Sequence, residues 1–253
     1  IVVLSNNDGC IFTRSNEAKQ LGIIMGEPYF KAKKIIEENK VHVFSSNYSL
    51  YGDISERVME TLLQFSPDVE IYSIDEAFLN FKGFKVNKLR AYCLHIRNII
   101  KQWVGIPVSI GVSSTKTLSK AANHLAKKNP ELEGVCVLQD SKKIDEALKT
   151  IEIRDVWGIG RRLSKFLNSQ GIKTAKQFVD LDRRWVRKNM SVVGEKTQME
   201  LKGISCLDLE LLPSTKKSCC VSRSFSQPIE NIEELEEFIA SYGSRVAKKI
   251  REE

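Results

Sequence analysis

Tyr72-Ser73-Ile74-Asp75-Glu76-Ala77-Phe78 decides how this chain is read. The stretch lies inside a β-patterned run, Val69 to Phe81, that two adjacent carboxylates interrupt. On a regular strand, neighbouring side chains point to opposite faces. A turn at Asp75-Glu76 would instead gather both carboxylates near one edge of a sheet. Hard cations such as Mg²⁺ take carboxylate oxygens together with substrate phosphates. Two such ions can clamp the attacking and leaving oxygens of a phosphoryl transfer. Taken alone, the run fits a solvated Asp-Glu hairpin turn better than a metal site, because turns are commoner than metal sites.

The flanking periodicities build a fold around this run. Before it, Leu50, Ile54, Val58, Leu62 and Phe65 recur every three or four residues, which predicts a helix from Tyr48 to Phe65 that ends at Ser66-Pro67-Asp68. After it, Leu89, Cys93, Ile96, Ile100 and Trp103 mark a second amphipathic helix, closed off by Gly105 and Pro107. Val108 to Val112 reads as a strand, Thr117 to Lys127 as a third helix, and Val135 to Leu138 as another strand. The order helix, strand, strand, helix, strand is a split β-α-β arrangement that lacks only an initial strand. The expected fold class is α+β, a ferredoxin-like sheet with helices on one face.

Further upstream, Ile1 to Ser5 and Cys10 to Thr13 are apolar and flank Asn6-Asn7-Asp8-Gly9, a set of residues that tolerate positive φ; together they read as a hairpin. Short helical segments are expected from Ser15 to Leu21 and from Glu27-Pro28 to Asn39, with a strand at Val41 to Phe44. Downstream of about Asp140 the chain changes to short helices, glycine turns and basic residues, so a domain boundary is placed there. A second boundary falls in the polar linker Leu212-Pro213-Ser214-Thr215-Lys216-Lys217.

Charge is localised. The chain nets +7, and Arg154 to Lys202 holds 12 Lys or Arg against 5 Asp or Glu, so this segment carries the whole excess. That is the footprint of a phosphate-binding module. At its start, Ile153-Arg154-Asp155-Val156-Trp157-Gly158-Ile159-Gly160-Arg161-Arg162 reads as a helix, a Gly-Ile-Gly hairpin and a second helix that runs to Gln170 and is ended by Gly171. Gly158 and Gly160 let backbone N–H groups approach a phosphate where the helix dipole favours an anion, and Arg161 and Arg162 add charge there. A tight helical hairpin with an ordinary solvated surface is the plainer alternative. Thr13, Arg14 and Lys19 begin a helix after a strand and could meet a triphosphate. Lys116, Lys120, Lys127 and Lys128 flank the third helix. Either group alone is most often a solvated face.

Other classes recede. No apolar run reaches the roughly 20 residues that span a bilayer, and Ile1 to Leu4 has no basic region before it and no cleavage signature after it. The expected location is therefore cytoplasmic. The six cysteines form no C-x-x-C pair and have no histidines at zinc-ligand spacing, so they read as reduced, structural thiols. The first residue is Ile, and the chain stops inside the amphipathic pattern at Lys248-Lys249-Ile250-Arg251-Glu252-Glu253. Both features are expected of a fragment of a longer protein.

In combination these motifs resemble the Y-family, translesion DNA polymerases, and the UmuC-like subfamily in particular. Ser73-Ile74-Asp75-Glu76-Ala77-Phe78 is similar to that family's metal-binding signature. Ser5-Asn6-Asn7-Asp8-Gly9-Cys10, Ser45-Ser46-Asn47-Tyr48 and Asp155-Val156-Trp157-Gly158-Ile159-Gly160-Arg161-Arg162 are similar to the UmuC branch, in the right order along essentially the whole chain. The resemblance implies a right-hand polymerase. Residues 1–46 would be the end of the first palm hairpin and small fingers, and 47–138 a ferredoxin-like palm. Residues 139–212 would be a helical thumb with a helix-hairpin-helix, and 213–253 the first strand and helix of a truncated little finger.

The resemblance also assigns roles. Asp75 would ligate two Mg²⁺ ions and Glu76 one of them. Thr13, Arg14, Lys19 and Lys127 would bind the incoming deoxynucleoside triphosphate. Gly158, Gly160, Arg161 and Arg162 would hold the DNA backbone. At Asn16 many relatives carry a tyrosine. The first metal-ligating aspartate and the residue that excludes ribonucleotides belong to a palm strand expected upstream of Ile1. Asp8 is no substitute, because it sits in the hairpin turn. The 253-residue piece is accordingly expected to be inactive by itself. Primer-template DNA, a UmuD-type subunit, RecA and the sliding clamp are the implied partners, and error-prone synthesis in the SOS response the implied activity. A non-catalytic, damaged-DNA-binding repair protein using the helix-hairpin-helix is one alternative. A nucleotide cyclase on a similar sheet is another, although a cyclase has no need to hold a duplex.

Overall fold

In the computed structural model the hairpin at the start of the chain forms as its turn residues dictate. The structure describes residues 1–212, 217–222, 225 and 227–252. Strand β1 (Val2–Leu4) pairs antiparallel with β2 (Ile11–Arg14), and Asp8 in the turn takes φ 54°. Ser45 Oγ donates to Asp8 Oδ2 at 3.0 Å, so Asp8 serves the turn. After β2 come helices α1 (Asn16–Gln20), with Ser15 as its N-cap, and α2 (Tyr29–Glu38), which Pro28 opens. Strand β3 (Val43–Ser45) then adds parallel to β1. Val2, Leu4, Ile11, Ala18, Ile23, Ala32 and Ile36 make the core beneath this three-stranded sheet.

The chain divides into two compact units, Ile1–Tyr51 with Pro213–Glu253, and Gly52–Leu212. Helix α3 (Tyr48–Leu63) carries the chain from one to the other. Its predicted apolar stripe is only partly buried, and Leu50 is exposed; Met59 and Thr61 are its buried residues. In the second unit β4 (Val69–Ser73) and β5 (Glu76–Leu79) form an antiparallel hairpin. Helix α4 (Val86–Trp103) buries Leu89, Cys93, Ile96 and Ile100 of the stripe its periodicity marks, whereas Trp103, in its last turn, is exposed. Strand β6 (Ile110–Val112), helix α5 (Lys116–Lys128) and strand β7 (Val135–Val137) follow as a β-α-β unit with β6 and β7 parallel.

The expected single sheet is resolved differently. These strands pair as two separate two-stranded ladders, β4-β5 and β6-β7. Each ladder is short, with three to five residues to a strand, and α5 packs closely onto the second. A Cβ on Gly111 of β6 would lie 2.1 Å from the backbone N of Asn123 and 2.2 Å from the carbonyl O of Ser119, both in α5. Glycine at this position is what lets α5 settle onto the ladder.

Helices α6 (Ser141–Thr150), α7 (Arg161–Ser169), α8 (Ala175–Val179) and α9 (Arg183–Leu201) complete this unit. Leu118 and Ala121 of α5 share one core with Leu148, Leu167, Phe178, Val186 and Leu201, so the β-α-β unit and the helical part are packed as one body. Gln198 is fully buried, and its Nε2 donates to the carbonyl oxygens of Phe178, Val179 and Leu181, which closes the C-terminal end of α8. Ser191, at φ 63° and ψ −171°, breaks α9 into two helical pieces. Helix α10 (Ile232–Glu252) belongs to the other unit. Residues 217–222 take no strand, and residues 213–216 of the expected linker lie outside the described residues. Among the described residues no helix is long and apolar enough to cross a membrane.

Candidate functional site

The carboxylate pair sits at the β4-β5 turn. Ser73 pairs with Glu76 across the hairpin, and Ile74-Asp75 makes the two-residue loop. Asp75 is exposed at the tip. Ser73 Oγ donates to Asp75 Oδ1 at 2.7 Å, and the Asp75 amide donates back to Ser73 Oγ at 3.3 Å, so the serine orients the carboxylate. Glu70 pairs with Phe78 in the register, and the strand period of two puts Glu76 on the same face as Phe78; Tyr72, at the register irregularity between Ile71 and Ser73, brings its ring 5.8 Å from that of Phe78. That face meets α5.

Helix α5 presents lysines to this face at helical spacing. Positions 116, 120 and 127 fall on one side of a 3.6-residue helix. Lys120 forms an ion pair with Glu76, and Lys116 one with Glu70. Lys116 Nζ also lies 5.2 Å from the Phe78 ring centroid. Lys127 is exposed in the last turn and has no ion-pair partner among the described residues. From sequence alone Lys116 and Lys120 read as part of a solvated face. The signal that could have found them is their shared phase on the helix, opposite acidic residues two apart on the facing strands.

Trp157 joins the carboxylate hairpin to the glycine hairpin. Its ring lies 5.5 Å from Tyr72 and 5.9 Å from Phe78, centroid to centroid, and Lys120 Nζ lies 6.0 Å from its centre. The segment ahead of Gly158 is a single 3-10 turn, Ile153–Asp155, where an α-helix was expected. Val156 and Ile159 are buried, and this anchoring leaves Gly158, at φ 88°, and Gly160 exposed. Gly160 is the N-cap of α7 and supplies no side-chain cap, so the first N–H groups of the helix stay available. Arg161 and Arg162 are exposed in that first turn.

The basic segment is only partly neutralised. Arg154, Lys176, Arg183 and Arg187 are tied to carboxylates. Arg161, Arg162, Lys165, Lys173, Arg184, Lys188, Lys196 and Lys202 form no ion pair among the described residues, which leaves a net positive surface. Arg183 and Arg187 converge on buried Glu195, and they hold its carboxyl below the ordinary range, Arg183 most strongly. His124 and Lys128 both reach Asp155, at 3.4 and 3.1 Å. Burial, then the Lys128 charge, push the His124 imidazole below its usual value.

Thr13 and Arg14 on β2 and Lys19 on α1 belong to the other unit, and Thr13 and Lys19 are exposed. The Nε and Nη1 of Arg14 are buried and meet no acceptor among the described residues, a feature that suits an anionic ligand.

No group of three or more His, Cys, Asp or Glu residues gathers among the described residues. Two adjacent carboxylates, one of them exposed, nevertheless fit Mg²⁺. This ion is commonly held by one or two carboxylates, with water and substrate phosphates completing its shell.

Comparison with known proteins adds a separate line. Residues 1–124 match the impB/mucB/samB family, and residues 216–253 match the C-terminal domain of the impB/mucB/samB family. The chain is 45% identical over 255 residues to Protein UmuC of Salmonella typhimurium, an alignment that covers all of this chain and 60% of that protein. It is 33% identical over 193 residues to DNA polymerase IV of Picrophilus torridus, covering 76% of this chain and 52% of that protein. The crystal structure of DinB from Sulfolobus solfataricus superposes with a TM-score of 0.70 at 24% identity, over 83% of this chain and 61% of that one. The chain therefore spans about three fifths of the length of the UmuC relative.

Proposed function

The chain belongs to the impB/mucB/samB family, and from that premise we propose that the protein is an error-prone, DNA-directed DNA polymerase, acting in translesion synthesis, DNA repair and the SOS response. Its α+β fold matches that of the Y-family polymerases, as the resemblance implied. The observation that carries the activity is the turn bearing Asp75 and Glu76, which is tied through Lys120 and Trp157 to an exposed, basic glycine hairpin. A phosphoryl-transfer site and a phosphate-backbone site in one packed body fit a nucleotidyltransferase that works on DNA.

In this reading Asp75 and Glu76 hold divalent cations, two Mg²⁺ ions in all. Bound there, the ions supply activation of the primer 3′-hydroxyl and neutralisation of triphosphate charge. The chain's own residues do the positioning. Ser73 sets the orientation of Asp75. Lys120 draws Glu76 toward α5 and offsets its charge. Thr13, Arg14, Lys19 and Lys127 are the residues that the family resemblance assigns to the triphosphate of the incoming nucleotide. The N–H groups at the start of α7, with Gly158, Gly160, Arg161 and Arg162, hold the DNA backbone. Residues 1–46 then act as palm hairpin and fingers, 47–138 as palm, 139–212 as thumb, and 213–253 as the start of the little finger. A cytoplasmic location and work with a UmuD-type subunit, RecA and the sliding clamp complete the proposal.

The test is primer extension by the protein expressed from its full reading frame, on undamaged and abasic templates, with Asp75→Ala beside it. Synthesis should fall at least ~100-fold in the variant while DNA binding persists. Extension at the normal rate by Asp75→Ala would overturn the site. Salt-sensitive DNA binding by a wild type that extends no primer, even with the UmuD-type subunit, RecA and the clamp supplied to exclude a missing activating partner, would instead favour the non-catalytic repair protein.

A further inference from the structure

Residues 204–210 run from the end of α9 without regular secondary structure, and two buried glutamates hold them in place. Glu200 is fully buried at the end of α9. Its Oε1 accepts the amides of Cys206 at 2.6 Å and Leu207 at 3.2 Å, and its Oε2 accepts the amide of Thr117 at 3.0 Å. Its own carbonyl accepts Thr115 Oγ1 at 2.8 Å. The second carboxylate is Glu70 on β4. Its Oε2 accepts the amide of Glu210 at 2.8 Å and pairs with Lys116, and Lys116 Nζ also donates to the carbonyl of Asp208 at 2.7 Å. The Glu70 and Lys116 side chains are only 7% and 10% exposed, so the pair is secluded from solvent.

A structureless strap would ordinarily be free to open, because little apolar burial holds it. Here each end of the strap is fixed by a charged acceptor on backbone N–H groups, which is the strong form of the hydrogen bond. The anchor points are not neutral scaffold. Glu70 lies directly opposite Phe78 in the hairpin register and on the same face as Glu76, and Lys116 lies one turn before Lys120 on α5. Two residues beyond the strap, at Leu212, the chain leaves this unit.

We infer that Glu70, Lys116 and Glu200 are positioning residues, a buried ionic latch that seats residues 204–210 on the carboxylate hairpin and fixes where the chain departs from the unit. The latch stands on the geometry alone; its effect on turnover rests on the polymerase reading. Displacing the strap removes a support from the hairpin face that carries Glu76. Chemistry slows, while the groups that bind the nucleotide are left as they were.

The experiment compares wild type, Glu70→Gln, Lys116→Met and the double variant, in the full-length protein, by hydrogen exchange and by steady-state primer extension. Glu200 is left intact, because a fully buried carboxylate that caps three amides is needed for folding. Each single variant should raise exchange in residues 204–212 about 10-fold, the loss expected for one charged hydrogen bond, with α9 unchanged. The double variant should exchange no faster than the singles, since either change alone breaks the same unit. In extension assays kcat should fall about 10-fold at unchanged nucleotide KM, the pattern of a lost transition-state arrangement. Unchanged exchange in the strap, or a uniform rise across the whole unit, would sink the latch. A loosened strap with unchanged kcat would overturn its positioning role. If the wild type extends no primer even with a UmuD-type subunit, RecA and the sliding clamp supplied, the polymerase reading fails and the exchange data still decide the latch.

Discussion

Trp157 sets its indole edge-on against Tyr72, with ring centroids 5.5 Å apart and planes at 83°. Tyr72 lies three residues before Asp75, and Trp157 one residue before Gly158. Phe78, edge-on to Tyr72, also meets the Trp157 ring at 5.9 Å, so a three-ring cluster links the carboxylate turn to the glycine hairpin.

Removing the indole should disturb both elements together. Trp157→Ala is expected to cost about 3 kcal/mol, the low end for a large aromatic, because the side chain is only partly buried. Trp157→Phe should recover most of it. Urea denaturation gives the two values, and equal stability of Trp157→Ala and wild type would show that the aromatic cluster holds nothing.

Arg161 and Arg162 should act on DNA affinity and not on base choice. If each contacts a phosphate, replacing either by Ala lowers the slope of log K against log salt by about 0.9 and weakens all sequences alike. Fluorescence anisotropy with two unrelated duplexes over a salt series would measure this. An unchanged slope in both variants would remove α7 from the DNA surface.

Gly111→Ala should be severe for its size. The added methyl would meet backbone atoms of α5 at 2.1 and 2.2 Å, and backbone cannot swing aside as a side chain can. The loss should be about 3 kcal/mol or more, at the top of the range for overpacking. Thermal melting would show it, and a variant as stable as wild type would mean that β6 and α5 are not packed this closely.

Acid should weaken the helical part through Glu195. Its carboxyl is held below the usual 4.5, chiefly by Arg183 and further by Arg187. A group with a depressed folded value stabilises the protein above the unfolded value, and that contribution is lost as pH falls through the folded value. Stability measured from pH 6 down through 4.5 and below should fall more steeply in wild type than in Glu195→Gln. Identical profiles would show that the two arginines do not couple to folding.

Much of this protein is legible in its sequence because the relevant signals are local. The hairpin at Asn6-Asn7-Asp8-Gly9, the helix that buries Leu89, Cys93, Ile96 and Ile100, and the turn between β4 and β5 each follow from residues within a few positions of one another. The carboxylate motif, the localised charge and the order of motifs were enough to indicate the family. Tertiary structure alone decided what the polar residues meet. Lys116 and Lys120 look like any solvated lysines until α5 lies across the hairpin that carries Glu70 and Glu76. Glu200 looks like a surface residue until the strap folds back over it. The pairing of the short strands in two separate ladders and the close seating of α5 on β6 at Gly111 are likewise not encoded in strand propensity. Periodicity reports which face of an element is apolar, whereas partners 44 to 140 residues apart are set only when the chain is closed.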